Sequence, residues 1–128
     1  MSELPAYYNF EKALGKLAEF LNTPITEERD RSGIIQAFEF SFELAWKSLQ
    51  KALIAQGYEV RGPKNALELG FRSGILKVTD EEVWKNMLRD RNLTVHTYRE
   101  DLAISVTDNI SKYYLNALKE LLSALKSS

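Results

Sequence analysis

The sequence predicts an all-α protein, an up-and-down antiparallel bundle of four to five helices, on three observations. Apolar residues recur at steps of three and four along nearly the whole chain. No stretch alternates with period two for long enough to make a convincing strand. Glycine and proline interrupt the helical pattern where a bundle needs its turns.

The first stripe is Phe10, Leu14, Leu17 and Leu21, about four turns of helix closed by Pro24. A loop from Asn22 to about Thr26 leads into the most apolar segment, whose stripe runs Ile34, Ile35, Phe38, Phe42, Ala45, Trp46, Leu49 and Leu53 until Gly57 stops it. Gly57, Gly62 and Pro63 mark a turn. Pro63 suits the first position of a short helix through Leu67 to Phe71, because its φ is already helical and its missing N–H would go unpaired there anyway. Gly74 ends that helix. Thr79, with Glu82 three residues on, reads as a capping box that opens a helix through Val83, Trp84, Met87 and Leu88 and frays near Leu93. The last helix begins near Asp101 and repeats Leu102, Val106, Ile110, Tyr114, Leu118, Leu121 and Leu125. The 128 residues contain no repeat, linker or low-complexity tract and read as one domain, 1–128, able to bury about two-thirds of the unfolded chain's surface.

Composition narrows the chemistry. With 45% hydrophobic and 27% charged residues, and no apolar run near the ~20 residues that span a bilayer, the chain is expected to stay out of the membrane. Its first ten residues carry an acid and no apolar signal core, so a cytoplasmic location is expected. Zero cysteines exclude disulfides, a thiol nucleophile and thiolate metal sites, and a single histidine excludes the usual multi-histidine centres. No cofactor and no metal are therefore expected. Seventeen Lys and Arg against 18 Asp and Glu leave a net charge of −1, so any phosphate must be held by a few placed cations rather than by a basic surface. The six glycines never form GxGxxG or a Walker pattern, which argues against the usual nucleotide hydrolases.

Two clusters stand out. Glu39, Glu43 and Lys47 follow one another at i, i+4, a pattern that serves as a polar stripe of paired charges or as a contact surface. The segment from Arg89 to Arg99 holds the lone histidine, His96, with Arg91, Asn92 and Tyr98 around it. Arg-x4-His-x-Tyr is expected by chance in on the order of one chain in a few hundred of this size. On an unbroken helix Arg91 and His96 would point about 140° apart. They converge more easily if the helix ends between them, or if a second copy of the chain brings its own pair. A further set of cations, Arg61, Lys64, Arg72 and Lys77, against Glu59 and Glu68, offers a local basic rim.

The stretch from Arg91 to Tyr98 resembles the RX4HXY signature of HEPN domains. The stretch from Phe38 to Lys47 is similar to the second-helix motif of one HEPN branch, the nucleotidyltransferase substrate-binding proteins, also called HepT toxins. Pro63 to Ala66 and Trp84 to Arg91 add to the likeness, which covers Phe10 to Leu125. Val95 stands where many members carry a smaller polar residue. The resemblance implies a HEPN-like bundle that forms a two-fold homodimer and works with a minimal nucleotidyltransferase as partner. It implies a type VII-style toxin–antitoxin pair, in which the HEPN chain is a metal-independent endoribonuclease and the partner neutralises it by adding AMP to Tyr98.

These residues suit that chemistry. Cleaving RNA without metal uses the 2′-hydroxyl as nucleophile, so one group must take its proton and another must protonate the leaving 5′-oxygen; imidazole titrates near neutrality and serves both roles. A symmetric dimer would bring two copies of His96, with Arg91 gripping the phosphate by charge-assisted bidentate contacts. Asn92 would orient the imidazole, contact a phosphate oxygen, or stand as a plain surface amide. Adenylylation of Tyr98 would add negative charge and bulk where RNA phosphate must sit. The second reading is a non-catalytic module that docks on a nucleotidyltransferase and presents its substrate; the third is a structural dimer without chemistry.

Overall fold

The computed structural model describes residues 4–127 and is helical throughout its ordered elements. Helix α1 spans Tyr8–Leu21, α2 Glu28–Ala55, α3 Pro63–Ser73 and α4 Glu81–Leu93; α5, Glu100–Asn109, runs through a π-helical turn, Ile110–Tyr114, into α6, Leu115–Ser127. Short 3-10 turns at Val78–Asp80 and Thr94–His96 bracket α4. The architecture is the all-α bundle the periodicity predicts.

α2 is the spine. At 28 residues it is about 42 Å long, and it packs against α1, α3, α5 and α6. Its predicted stripe, with Ile34, Ile35, Phe38, Phe42, Ala45, Leu49 and Leu53, is buried, while Trp46 is only partly so. The helix starts where Asp30 reaches back: its carboxylate accepts from the backbone N–H groups of Thr26 and Glu27, at 2.8 and 3.0 Å, which satisfies donors that helix geometry leaves free. The same bonds hold the Asp30 carboxyl below its ordinary range.

The turns around α3 follow the glycines. Pro63 is its first residue, and Gly74 adopts a φ of 86°, the left-handed conformation that ends a helix at little cost only for glycine. Gly70 lets α3 lie close to α2, since a Cβ there would stand 2.8 Å from Leu76 Cδ1 and 3.1 Å from Leu49 Cδ2.

One expectation fails, and one predicted helix carries an irregular turn. The Thr79–Glu82 capping box does not form: Thr79 lies inside the 3-10 turn, Asp80 takes the N-cap place, and Glu82 falls one position short of the residue a box would use. The predicted last helix forms, with a π-helical turn inside it. Its stripe Leu102, Val106, Ile110, Tyr114 and Leu118 advances four residues at every step. On a straight α-helix four such steps drift about 160° off the core. The π turn at Ile110–Tyr114 widens the coil there and returns Ile110, Tyr114 and Leu118 to the interior.

Candidate functional site

The site grows from the C-terminal end of α4. α4 stops at Leu93, between Arg91 and His96, and the chain tightens into the 3-10 turn Thr94–His96. The Thr97 hydroxyl donates to the Thr94 carbonyl at 2.9 Å, and the Arg99 N–H donates to the His96 carbonyl at 3.1 Å. The imidazole is thus carried on a short braced turn off the helix axis, the break that the 140° separation called for.

Arg91 is half-buried against α2. Its Nη1 lies 3.9 Å from Glu39 Oε2, an ion pair too long for a hydrogen bond. Glu39 in turn accepts from the Thr94 hydroxyl at 3.0 Å, a proton that Thr94 shares with the Arg91 carbonyl at 2.7 Å. The guanidinium is held in place by charge while its hydrogen-bonding fork is not used up by Glu39, a suitable state for receiving a phosphate. One turn along α2, Glu43 pairs with Lys47 at 3.1 Å and accepts from the Trp46 indole at 3.1 Å. Burial pushes the Glu43 carboxyl upward, but the indole N–H, Lys47 and the field of Arg91 outweigh it and hold the group below the usual carboxylate range. Glu39 and Glu43 therefore face the signature segment, and Lys47 joins them through Glu43.

His96 and Tyr98 are exposed, Tyr98 at 81%, with their rings edge to face at 6.0 Å between centroids. At that exposure Tyr98 is not an ordinary amphipathic packing residue. Asn92 does not bond His96 among the described residues; it lines a groove between α3 and α4 instead. Of the four cations Arg61, Lys64, Arg72 and Lys77, only Lys64 lines that groove. Arg61 faces Glu59 at 3.8 Å and Lys77 faces Glu120 at 3.7 Å. Among the described residues no group of three or more His, Asp or Glu could hold a metal ion, and no helix is long and apolar enough to cross a membrane.

Beneath the signature lies a polar cluster that sequence reasoning missed. Asp90 is buried, and its Oδ2 accepts from the Tyr114 hydroxyl at 2.5 Å and from Asn109 Nδ2 at 3.0 Å, while Oδ1 faces Arg89 Nη2 at 3.5 Å. Burial and the Asp90 carboxylate push the Tyr114 phenol well above its ordinary value, so it remains a donor. Tyr114 sits in the π turn and stacks on Phe38 at 5.7 Å, tying α2, α4 and the last helix together one residue before Arg91. The signal was available: Asp90 stands three residues after Met87, in phase with the buried stripe, where a carboxylate needs partners.

Residues 5–127 match the family described as nucleotidyltransferase substrate binding protein like. The chain belongs to that family. This nucleotidyltransferase substrate-binding-like chain is 26% identical over 121 residues to a Haemophilus influenzae protein named probable ribonuclease HepT, covering 88% of this chain and 82% of that one. It is also similar to a crystal structure from Thermus thermophilus, with 34% identity and a TM-score of 0.85, covering 91% of this chain and 98% of the other. Its resemblance to the HepT branch thus rests on nearly its whole length.

Proposed function

We propose that this protein is a HepT-like, metal-independent endoribonuclease and the toxin of a toxin–antitoxin pair. The observation that carries the reading is the arrangement at the end of α4: a half-buried Arg91 with its fork left open, followed by a helix break that presents His96 and Tyr98 to solvent. Family membership and the likeness to a probable ribonuclease HepT support it.

In this reading the chain works as a two-fold homodimer that faces two signature segments across one cleft. One His96 removes the 2′-hydroxyl proton; the 2′-oxygen attacks phosphorus and the bond from phosphorus to the 5′-oxygen breaks; the second His96, entering as imidazolium, protonates the departing oxygen. Arg91 binds the phosphate and stabilises the charge that develops on its oxygens. The products end in a 2′,3′-cyclic phosphate and a 5′-hydroxyl. Asn92 acts in support, as a phosphate ligand. A partner nucleotidyltransferase switches the site off: the exposed Tyr98 phenol oxygen, losing its proton, attacks the α-phosphorus of ATP held by the transferase and displaces pyrophosphate, leaving AMP on the tyrosine. The resulting phosphodiester blocks RNA by repulsion and bulk.

The deciding experiment incubates purified protein with RNA in EDTA, wild type beside His96→Ala, and identifies the 3′ ends. Cyclic phosphate ends that vanish in the variant are expected; equal products from both proteins overturn the proposal. A second reading, a non-catalytic subunit that presents substrate to a nucleotidyltransferase, is favoured by the family description and by the near-neutral charge. It predicts a stable complex with the transferase and no cleavage at all.

A further inference from the structure

A groove of about 530 Å³ lies between α3 and α4, within the size range of small-ligand sites. Its apolar surface comes from Leu67, Phe71, Trp84 and Leu88, of which Leu67 and Trp84 are buried and Phe71 and Leu88 half-buried. Its charges are sorted along α4. Arg89 and Asn92 line the end next to Arg91, and Glu81 lines the other, eleven residues and about 16 Å away. Lys64 and Glu68 of α3 and Lys85 of α4 complete the walls. Lys64, Lys85, Glu68 and Glu81 make no ion pair with any described residue, so each is free to meet a ligand.

From this we infer that the groove is a nucleotide subsite, which takes one unit of the RNA strand beside the cleavage point. The inference rests on the ribonuclease reading for its choice of RNA. A strand gripped at Arg91 has to continue somewhere, and a protein of net charge −1 cannot hold it by a general basic surface. The groove supplies what a flanking nucleotide needs. Lys64, Arg89 and the Asn92 amide are donors for its phosphate at the end nearest the signature, and half-buried Phe71 with its aliphatic neighbours offers an apolar bed for its base. Glu68 and Glu81 repel phosphate and so fix the direction, base away from Arg91. As acceptors they match the exocyclic amino groups of adenine, cytosine and guanine, which uracil lacks.

The test reads binding separately from cleavage, by fluorescence anisotropy of short labelled oligoadenylate, oligocytidylate and oligouridylate with 2′-O-methyl groups throughout. Such strands have no free 2′-hydroxyl and cannot be cut. Wild type is expected to bind oligoadenylate and oligocytidylate more tightly than oligouridylate. Lys64→Glu, on an exposed side chain, should weaken binding about tenfold and flatten the salt dependence by about 0.7 of a unit of slope, the share of one phosphate contact on a single strand. Glu68→Gln with Glu81→Gln should retain binding and erase the preference among bases. Unchanged affinity in the lysine variant, or no binding by wild type, overturns the proposal. So does loss of dimer in sedimentation, or of the transferase complex, with oligonucleotide affinity intact, because the groove would then be a protein contact. Cleavage of natural RNA in EDTA keeps the two readings apart. Binding that follows the groove variants without any cleavage sinks the ribonuclease and leaves the subsite standing. Cleavage with binding indifferent to those variants does the reverse.

Discussion

Asp90 and Tyr98 are eight residues apart in sequence and at opposite extremes of environment. Asp90 is 4% exposed and its carboxylate meets Tyr114, Asn109 and Arg89; Tyr98 is 81% exposed and touches little beyond the edge of His96. Between them the chain passes from a helix locked to two others into a braced turn that holds its reactive groups in water. The contrast teaches how a small bundle builds a site. Rigidity is placed one residue before Arg91, in a buried hydrogen-bonded cluster, and freedom is placed after it, where the proposed ribonuclease would meet an RNA strand or a modifying enzyme.

The harshest way to break the contrast is Asp90→Ala, which leaves the Tyr114 hydroxyl and Asn109 amide without their acceptor in the interior. A loss of about 3 kcal/mol is expected, or roughly 10 °C in the melting temperature by calorimetry. Tyr114→Phe, which leaves Asn109 and Arg89 on the carboxylate, should cost about 2 kcal/mol. Equal, negligible losses in both variants would show that the cluster holds nothing together.

Thr94→Val acts at the boundary between the two regimes. The Thr94 hydroxyl links the turn to Glu39 and to the Arg91 carbonyl, and its removal should cost about 1 kcal/mol by denaturant titration. It should also let Arg91 wander, so RNA affinity would fall along with stability, unlike the affinity of a variant damaged elsewhere in the core.

The bundle was legible because its evidence is local. Three- and four-residue steps announce helices, and Pro63 and Gly74 act through their own backbones. The signature was legible for the same reason, three residue types at fixed spacing within one short stretch. Asp90 was not, because its partners arrive from 19 and 24 residues away and meet it only after α4 packs on the last helix. Sequence proximity sets Lys64 beside Arg61, Arg72 and Lys77; packing between helices instead places it in one groove with Arg89 and Asn92. The capping box failed because Thr-x-x-Glu defines a box only if the helix starts at the threonine. A 3-10 turn moved the N-cap one residue on, from Thr79 to Asp80.

A gentler probe is Glu43→Gln on the α2 side of the site. Glu43 titrates below the usual carboxylate range in the folded chain, so its ionised form favours folding. That contribution is complete above the ordinary carboxylate value and is lost as pH falls through the folded-state value. Wild type should therefore lose stability on acidification more steeply than Glu43→Gln, and the two curves should converge at the acid end of a pH series of denaturant melts. Parallel curves would mean that Lys47 and Trp46 do not hold the carboxylate in solution.

The smallest expected change in stability belongs to the residues given the largest role. His96→Ala and Tyr98→Ala remove side chains that pack against almost nothing, and each should alter the unfolding free energy by no more than about 0.5 kcal/mol. Cleavage should respond quite differently to the first: loss of an acid–base group lowers the rate by about 10²- to 10⁴-fold. A His96→Ala protein that melts like wild type and no longer cuts RNA would separate scaffold from chemistry within one short segment. A variant that instead melts early would mean that the turn Thr94–His96 leans on its imidazole, and that the braced backbone bonds at Thr97 and Arg99 do not suffice to hold it.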